Sequence, residues 1–143
     1  MTKIQRQAAF LGALLLVVGF GTGGLLAMAM GGQISADAHL VRAAHLNAFI
    51  GCFWLCAVAC TLHFTRFGEQ GARRLVLLTA VPAYAAWALT ILSAFLHVSG
   101  LAPNGDARND ALFVAFNLFV VVPSLASSIA WVYGLAKERV TTA

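Results

Sequence analysis

Few side chains in this sequence could do chemistry in an apolar setting: His45, Asn47, His63, Tyr84, His97, Asn117 and the Ser124/Ser127/Ser128 group. Each falls inside or at the edge of a long apolar run. An ionisable or strongly polar group there is costly unless partnered, which makes each a functional candidate. No Asp or Glu lies at depth in these runs, which argues against a proton relay or cation-coupled transport. His45, in Arg42-Ala43-Ala44-His45-Leu46-Asn47, is the most informative. A neutral imidazole facing a bundle interior can ligate a metal or haem iron, and at a membrane boundary it can equally bond a neighbouring carbonyl. At about 100° per helical residue, Cys52, Cys56 and His63 share the face of His45, with Cys60 further round.

His97 should lie at a depth similar to His45 on an antiparallel neighbouring helix. Two histidines so placed are what a bis-histidine b-type cytochrome needs. The nearness of His97 to Ser99-Gly100 favours instead a position at the membrane boundary, bonded to water or a loop carbonyl. His63 sits about 27 Å along the helix from His45, a position suited to snorkelling at the opposite boundary. Tyr84, Trp87 and Trp54 fall mid-run, where an aromatic belt does not explain them, whereas Trp131 and Tyr133 near a run end fit such a belt. A mid-membrane Tyr hydroxyl needs a hydrogen-bond partner, whether a backbone carbonyl or a substrate.

The elements that must position these groups follow from composition. The chain has 143 residues, of which 61% are hydrophobic and 10% charged; soluble domains carry roughly 45–50% and about 25%. A soluble domain this small could not bury so much apolar surface. Soluble enzymes, nucleic-acid binders and disordered chains are therefore excluded, and the net charge of +4 is scattered, without the dense patch a nucleic acid requires. Apolar stretches at about 7–30, 41–65, 75–98 and 111–135 are each long enough to cross a hydrocarbon core of about 30 Å as a helix. No stretch alternates with period two, which excludes a β-barrel. The fold class expected is all-α, a four-transmembrane-helix bundle forming a single membrane domain over 1–143.

The first run exceeds the length of a signal-peptide core, so Ala27-Met28-Ala29 is read as part of a retained helix and not as a cleavage site. Lys3, Arg6, Arg66, Arg73, Arg74, Lys137 and Arg139 lie on one side of the spans, against Arg42 and Arg108 on the other. The positive-inside rule then puts both termini and the Arg66–Arg74 loop in the cytoplasm, as in a multi-pass protein of a bacterial-type inner membrane. Asp37, Asp106 and Asp110 fall on the outer side. Gly19 and Gly23 form a small-xxx-small pair that permits close helix approach. Pro82 and Pro123 fall mid-span, where each removes a backbone donor and bends its helix. Cys52, Cys56 and Cys60 lie in one apolar run as small filler and not as a disulfide framework.

Ala44-His45-Leu46 at the start of the second span, and Tyr84-Ala85-Ala86-Trp87 in the third, resemble the small integral-membrane hydroxylaminobenzene mutase family. The same helix layout resembles styrene oxide isomerase, which uses haem b as a Lewis acid. The resemblance implies His45 as the axial ligand of haem iron, Tyr84 as a substrate-orienting hydroxyl, and a homotrimer as the assembly. The family pattern has Asn six residues after the histidine, followed by Gly; here Gly51 and Cys52 stand at those positions. Asn47 and Asn117 are the candidates to replace the missing donor. The function so implied is rearrangement of hydroxylaminobenzene to 2-aminophenol, with no redox partner or second substrate. Epoxide-to-aldehyde isomerisation is the close alternative, and a bis-histidine cytochrome subunit the non-enzymatic one. Ferric haem with one protein ligand keeps a position open for a substrate oxygen. An apolar site admits a small aromatic substrate from the membrane lipid and keeps water from a cationic intermediate.

Overall fold

A computed structural model describes residues 1–136; Lys137 and Arg139, two of the basic residues that set the expected orientation, lie outside the described residues. Four helices run antiparallel in succession: α1 (Lys3–Met30), α2 (Ala38–Thr61, prolonged by a 3-10 turn Leu62–Phe64), α3 (Glu69–Leu96) and α4 (Ala107–Leu135). All four are long and apolar enough to cross a membrane, and no strand occurs among the described residues. The all-α four-span architecture expected from the sequence is the one observed.

Each helix begins a few residues before its apolar run, because capping chemistry draws polar residues into the first turn. Thr2 and Gln5 form a reciprocal capping box at α1. Asp37 accepts from the amides of His39 and Leu40 to open α2, and Asp106 accepts from Arg108 N–H to open α4. The expected loop Arg66–Arg74 accordingly shrinks to Thr65–Gly68, and Arg73 and Arg74 stand on the opening turns of α3. At the far end α3 stops at His97, whose left-handed backbone (φ 53°, ψ 38°) turns the chain out of the helix while its N–H bonds Ser93 C=O.

Pro123 does bring a distortion. α4 widens to a π-helical turn at Asn117–Val121, where Val122 N–H reaches back to Asn117 C=O, and ordinary α-helix resumes from Val122. A π turn offsets the hydrogen-bond ladder just ahead of the residue that cannot join it. Pro82, by contrast, is fully buried inside an α3 assigned as continuous helix.

Lipid tails are as apolar as leucine, so packing and interhelical hydrogen bonds hold such a bundle together. The tightest point is Gly51 on α2. A Cβ added there would lie 2.6 Å from Leu15 Cδ2 on α1 and 2.9 Å from Ala83 Cβ on α3. The position where the family pattern has Asn is thus a three-helix crossing with no room for a side chain. Around it, Leu15, Ala48, Cys52, Leu55, Ala80 and Ala83 form one core cluster, and a second lies toward the N-terminal end of α1, around Ile4, Val58 and Leu75. α4 is fixed to this three-helix body by polar clasps. Ser127 and Thr79, both fully buried, share a 2.7 Å hydroxyl bond. Trp131 Nε1 donates to Thr61 (3.0 Å), and the Arg66 guanidinium lies 3.3 Å over the Tyr133 ring. The three cysteines are unpaired.

Candidate active site

His45 stands two turns into α2, on the flank packed against α1. Its Nδ1 lies 2.8 Å from the carbonyl oxygen of Gly19. A carbonyl can only accept, so Nδ1 carries a proton, and in the neutral ring Nε2 is the nitrogen with the lone pair. Gly23, one turn further along α1, faces the ring: a Cβ there would come within 3.1 Å of Cε1 and 3.9 Å of Nε2. Glycine at 19 lets the backbone come close enough to accept the bond, and glycine at 23 leaves the ring edge uncovered. On the other side Phe49 meets the imidazole edge-on with centroids 4.7 Å apart, and Phe20 of α1 meets Phe49 the same way at 5.4 Å. The ring is half-buried, and Nε2 has no partner among the described residues. The buried side-chain polar atom without a partner among those residues is Ser93 Oγ, so Nε2 retains an opening to the outside of the chain.

The Gly19 carbonyl thus fixes the orientation of the ring. Metal-bound histidines donate their other ring nitrogen to a carbonyl or carboxylate, which fixes the tautomer and makes the ligating nitrogen more basic. No three His, Cys, Asp or Glu side chains converge among the described residues to hold a bare metal ion. A porphyrin brings its own equatorial nitrogens and needs from the protein a single axial donor, so the donor set of His45 fits haem.

Asn47 lies two residues on, about 200° round the helix, and faces α3: its Nδ2 donates to Thr90 Oγ1 at 3.1 Å, and Thr90 in turn donates to Ala86 C=O. Tyr84 projects from α3 toward α1, where its hydroxyl donates to Leu11 C=O at 2.8 Å. One turn along α3, Trp87 Nε1 donates to Thr22 Oγ1 of α1 at 2.9 Å. Asn117 opens the π turn of α4 and donates to Phe113 C=O in its own helix. His45, Asn47, Tyr84 and Asn117 therefore sit in four different settings, and the chain does not gather the two asparagines and the tyrosine around the His45 ring. What it does build is a polar frame: Tyr84 and Trp87 lock α1 to α3, Asn47 locks α2 to α3, and His45 locks α2 to α1.

The two remaining histidines lie at opposite ends. His97 Nε2 is 3.3 Å from Ser35 Oγ in the exposed α1–α2 connection, so the structure places it with a loop and gives it no contact with His45. His63 is exposed, its ring tilted 42° against Phe64 with centroids 3.7 Å apart, and its Nδ1 3.5 Å from Gln5 Nε2. Sequence reasoning missed Thr22 and Thr90 as the acceptors of the mid-span frame, and missed that Gly19 and Gly23 serve His45. The signal was present: a small-xxx-small pair on one helix opposite a lone histidine on the next.

The profile of the styrene oxide isomerase family matches residues 4–136, a stretch that spans all four helices. No curated protein matches the chain. A family whose profile covers nearly the whole sequence, on a four-span fold carrying one oriented histidine, leaves a direct conclusion: the chain belongs to the styrene oxide isomerase family.

Proposed function

We propose that this protein is a membrane-embedded isomerase that opens a C–O bond of a small aromatic epoxide and returns the aldehyde of the same composition. The observation that carries the reading is the His45 imidazole, with Nδ1 committed to Gly19 C=O and Nε2 without a partner among the described residues, in a chain of this family. Haem b, implied by the family resemblance, is the cofactor proposed, and Nε2 of His45 is the atom that would hold it. When bound, haem would supply Lewis-acid chemistry toward the substrate oxygen.

The chain's own residues do the rest. Gly19 C=O holds the imidazole in one tautomer and one plane. Phe49 and Phe20 give the flank an aromatic wall suited to a flat substrate arriving from lipid. The apolar surroundings keep out water, which would capture a cationic carbon and give a diol. Tyr84 and Asn47 act as positioning residues, through the α1–α3 and α2–α3 bonds that set where α1 presents Gly19. Because the His45 ring opens outward, a neighbouring copy could complete the pocket, in keeping with the homotrimer the resemblance implies. The orientation proposed is the one the basic residues favour, with both termini cytoplasmic in a bacterial-type inner membrane.

A second reading is kept for one observation: the Tyr84-Ala85-Ala86-Trp87 pattern resembles the hydroxylaminobenzene mutases, whose product would be 2-aminophenol. Incubating the purified protein with styrene oxide and, separately, with hydroxylaminobenzene decides between them. Aldehyde from the epoxide supports the first reading. Aminophenol with no aldehyde replaces it with the second, and no conversion of either overturns both.

A further inference from the structure

Where the N-terminal turns of α1 meet the opening turns of α3, the two helices part. A groove of about 720 Å³ lies between them, within the usual range of ligand sites. Three cations line it: Lys3 and Arg6 from α1 and Arg73 from α3. Its other walls are apolar, among them Phe10, Val76 and Leu77, and two of these are notably open, Phe10 65% and Leu77 56% exposed. Phe10 follows Arg6 by one turn, about 6 Å deeper along the helix axis. Leu11, also in the wall, accepts the Tyr84 hydroxyl bond that draws α1 and α3 together. The groove is thus charged at the membrane boundary and apolar toward the membrane interior, which is the polarity of a lipid.

Among the described residues no carboxylate forms an ion pair with these three cations. Among the described residues the ion pair present is Arg108–Asp106, at the opposite end of the bundle. Glu69, the nearest acidic residue in sequence to Arg73, lines a separate hollow with Lys3 and His63 and is within ion-pair distance of none of the three. Arg66 differs from the three: its guanidinium lies on Tyr133. Arg74, next in sequence to Arg73, does not line the groove.

We propose that this groove binds one anionic phospholipid, its phosphate held among Lys3, Arg6 and Arg73 and one acyl chain laid along Phe10, Val76 and Leu77. Three cations without an ion-pair partner among the described residues select an anionic headgroup over a zwitterionic one, and basic pockets between transmembrane helices are suited to such headgroups. The apolar walls continue into the hydrocarbon region, which suits an acyl chain and not a peptide or a free anion.

The test uses the full-length protein in a neutral detergent, with lipid retention read by native mass spectrometry. The probes are dioleoyl phosphatidylglycerol, dioleoyl phosphatidylcholine and glycerol phosphate. The expected result is one phosphatidylglycerol per chain, retained at least tenfold better than phosphatidylcholine and not displaced by glycerol phosphate at equal concentration. Lys3→Gln, Arg6→Gln and Arg73→Gln should each weaken retention roughly fivefold, while Arg74→Gln, with the same change of charge, leaves it unaltered. Leu77→Trp keeps every charge but fills an exposed wall, and should weaken retention at least as much. Equal retention of the two lipids, an equal loss in Arg74→Gln, an unaffected Leu77→Trp, or displacement by glycerol phosphate would each overturn the proposal.

Discussion

Gly51→Ala is the sharpest test of the packing that sets the helices around His45. The added methyl would sit 2.6 Å from Leu15 Cδ2 and 2.9 Å from Ala83 Cβ, where ordinary contacts begin at 3.4 Å. Ala83 Cβ is fixed to the α3 backbone, so relief there requires α2 and α3 to separate by roughly half an ångström. Leu15 has 0% exposure, so its methyl cannot swing into free space. Overpacking of this kind costs about 1–3 kcal/mol. Leu15→Ala alone should cost about 2 kcal/mol or more through the cavity it leaves. In the double variant the new methyl occupies part of that cavity, so the combined loss should fall short of the sum by about 1 kcal/mol. The assay is unfolding in mixed micelles for the wild type, both single variants and the double variant. A Gly51→Ala protein as stable as the wild type, or strictly additive losses, would refute the three-helix crossing and with it the account of why Asn is absent at 51.

Tyr84→Phe removes the donor to Leu11 C=O and should cost about 1 kcal/mol of stability; a fall in kcat at temperatures where the variant is fully folded would show the positioning role proposed for Tyr84. His97→Ala loses an exposed bond to Ser35 and should leave the visible spectrum of haem-loaded protein unchanged. A low-spin to high-spin change in that variant would instead establish a second axial histidine and favour the cytochrome reading. Ser127→Ala breaks the buried bond to Thr79 between α3 and α4. It should cost about 0.6 kcal/mol, the average for such bonds in membranes, and no more than about 1.7 kcal/mol; no loss would mean α4 is held by other contacts.

The spans were legible because hydropathy alone separates a bundle in lipid from anything soluble. Their starts were not, since Thr2, Asp37, Gly68 and Asp106 begin helices with polar turns that apolarity cannot see. The similar depth expected of His45 and His97 does not hold: the start of α2 at Asp37 is level with Ala94, and Asn47, next but one to His45, bonds Thr90, seven residues or about 10 Å short of His97. His97 ends α3 in a left-handed turn and bonds Ser35, while His45 turns to α1. Asn47 shows what periodicity could have decided: two residues after His45, it had to face another way. The roles of Thr22, Thr90 and Gly51 depend on which helix lies opposite, a matter of tertiary packing that one sequence does not state. The π turn at Asn117 was foreshadowed only by Pro123, six residues on.

The central proposal is that His45 Nε2 would hold a haem on which isomerisation depends. Its most direct measurement is the haem content per chain, from the Soret band, of wild-type protein and His45→Ala purified side by side after hemin loading. The account predicts a near-stoichiometric band in the wild type and its loss in His45→Ala, with His63→Ala retaining it. A His45→Ala protein that holds haem as fully as the wild type, or a wild type that takes up none, would contradict it.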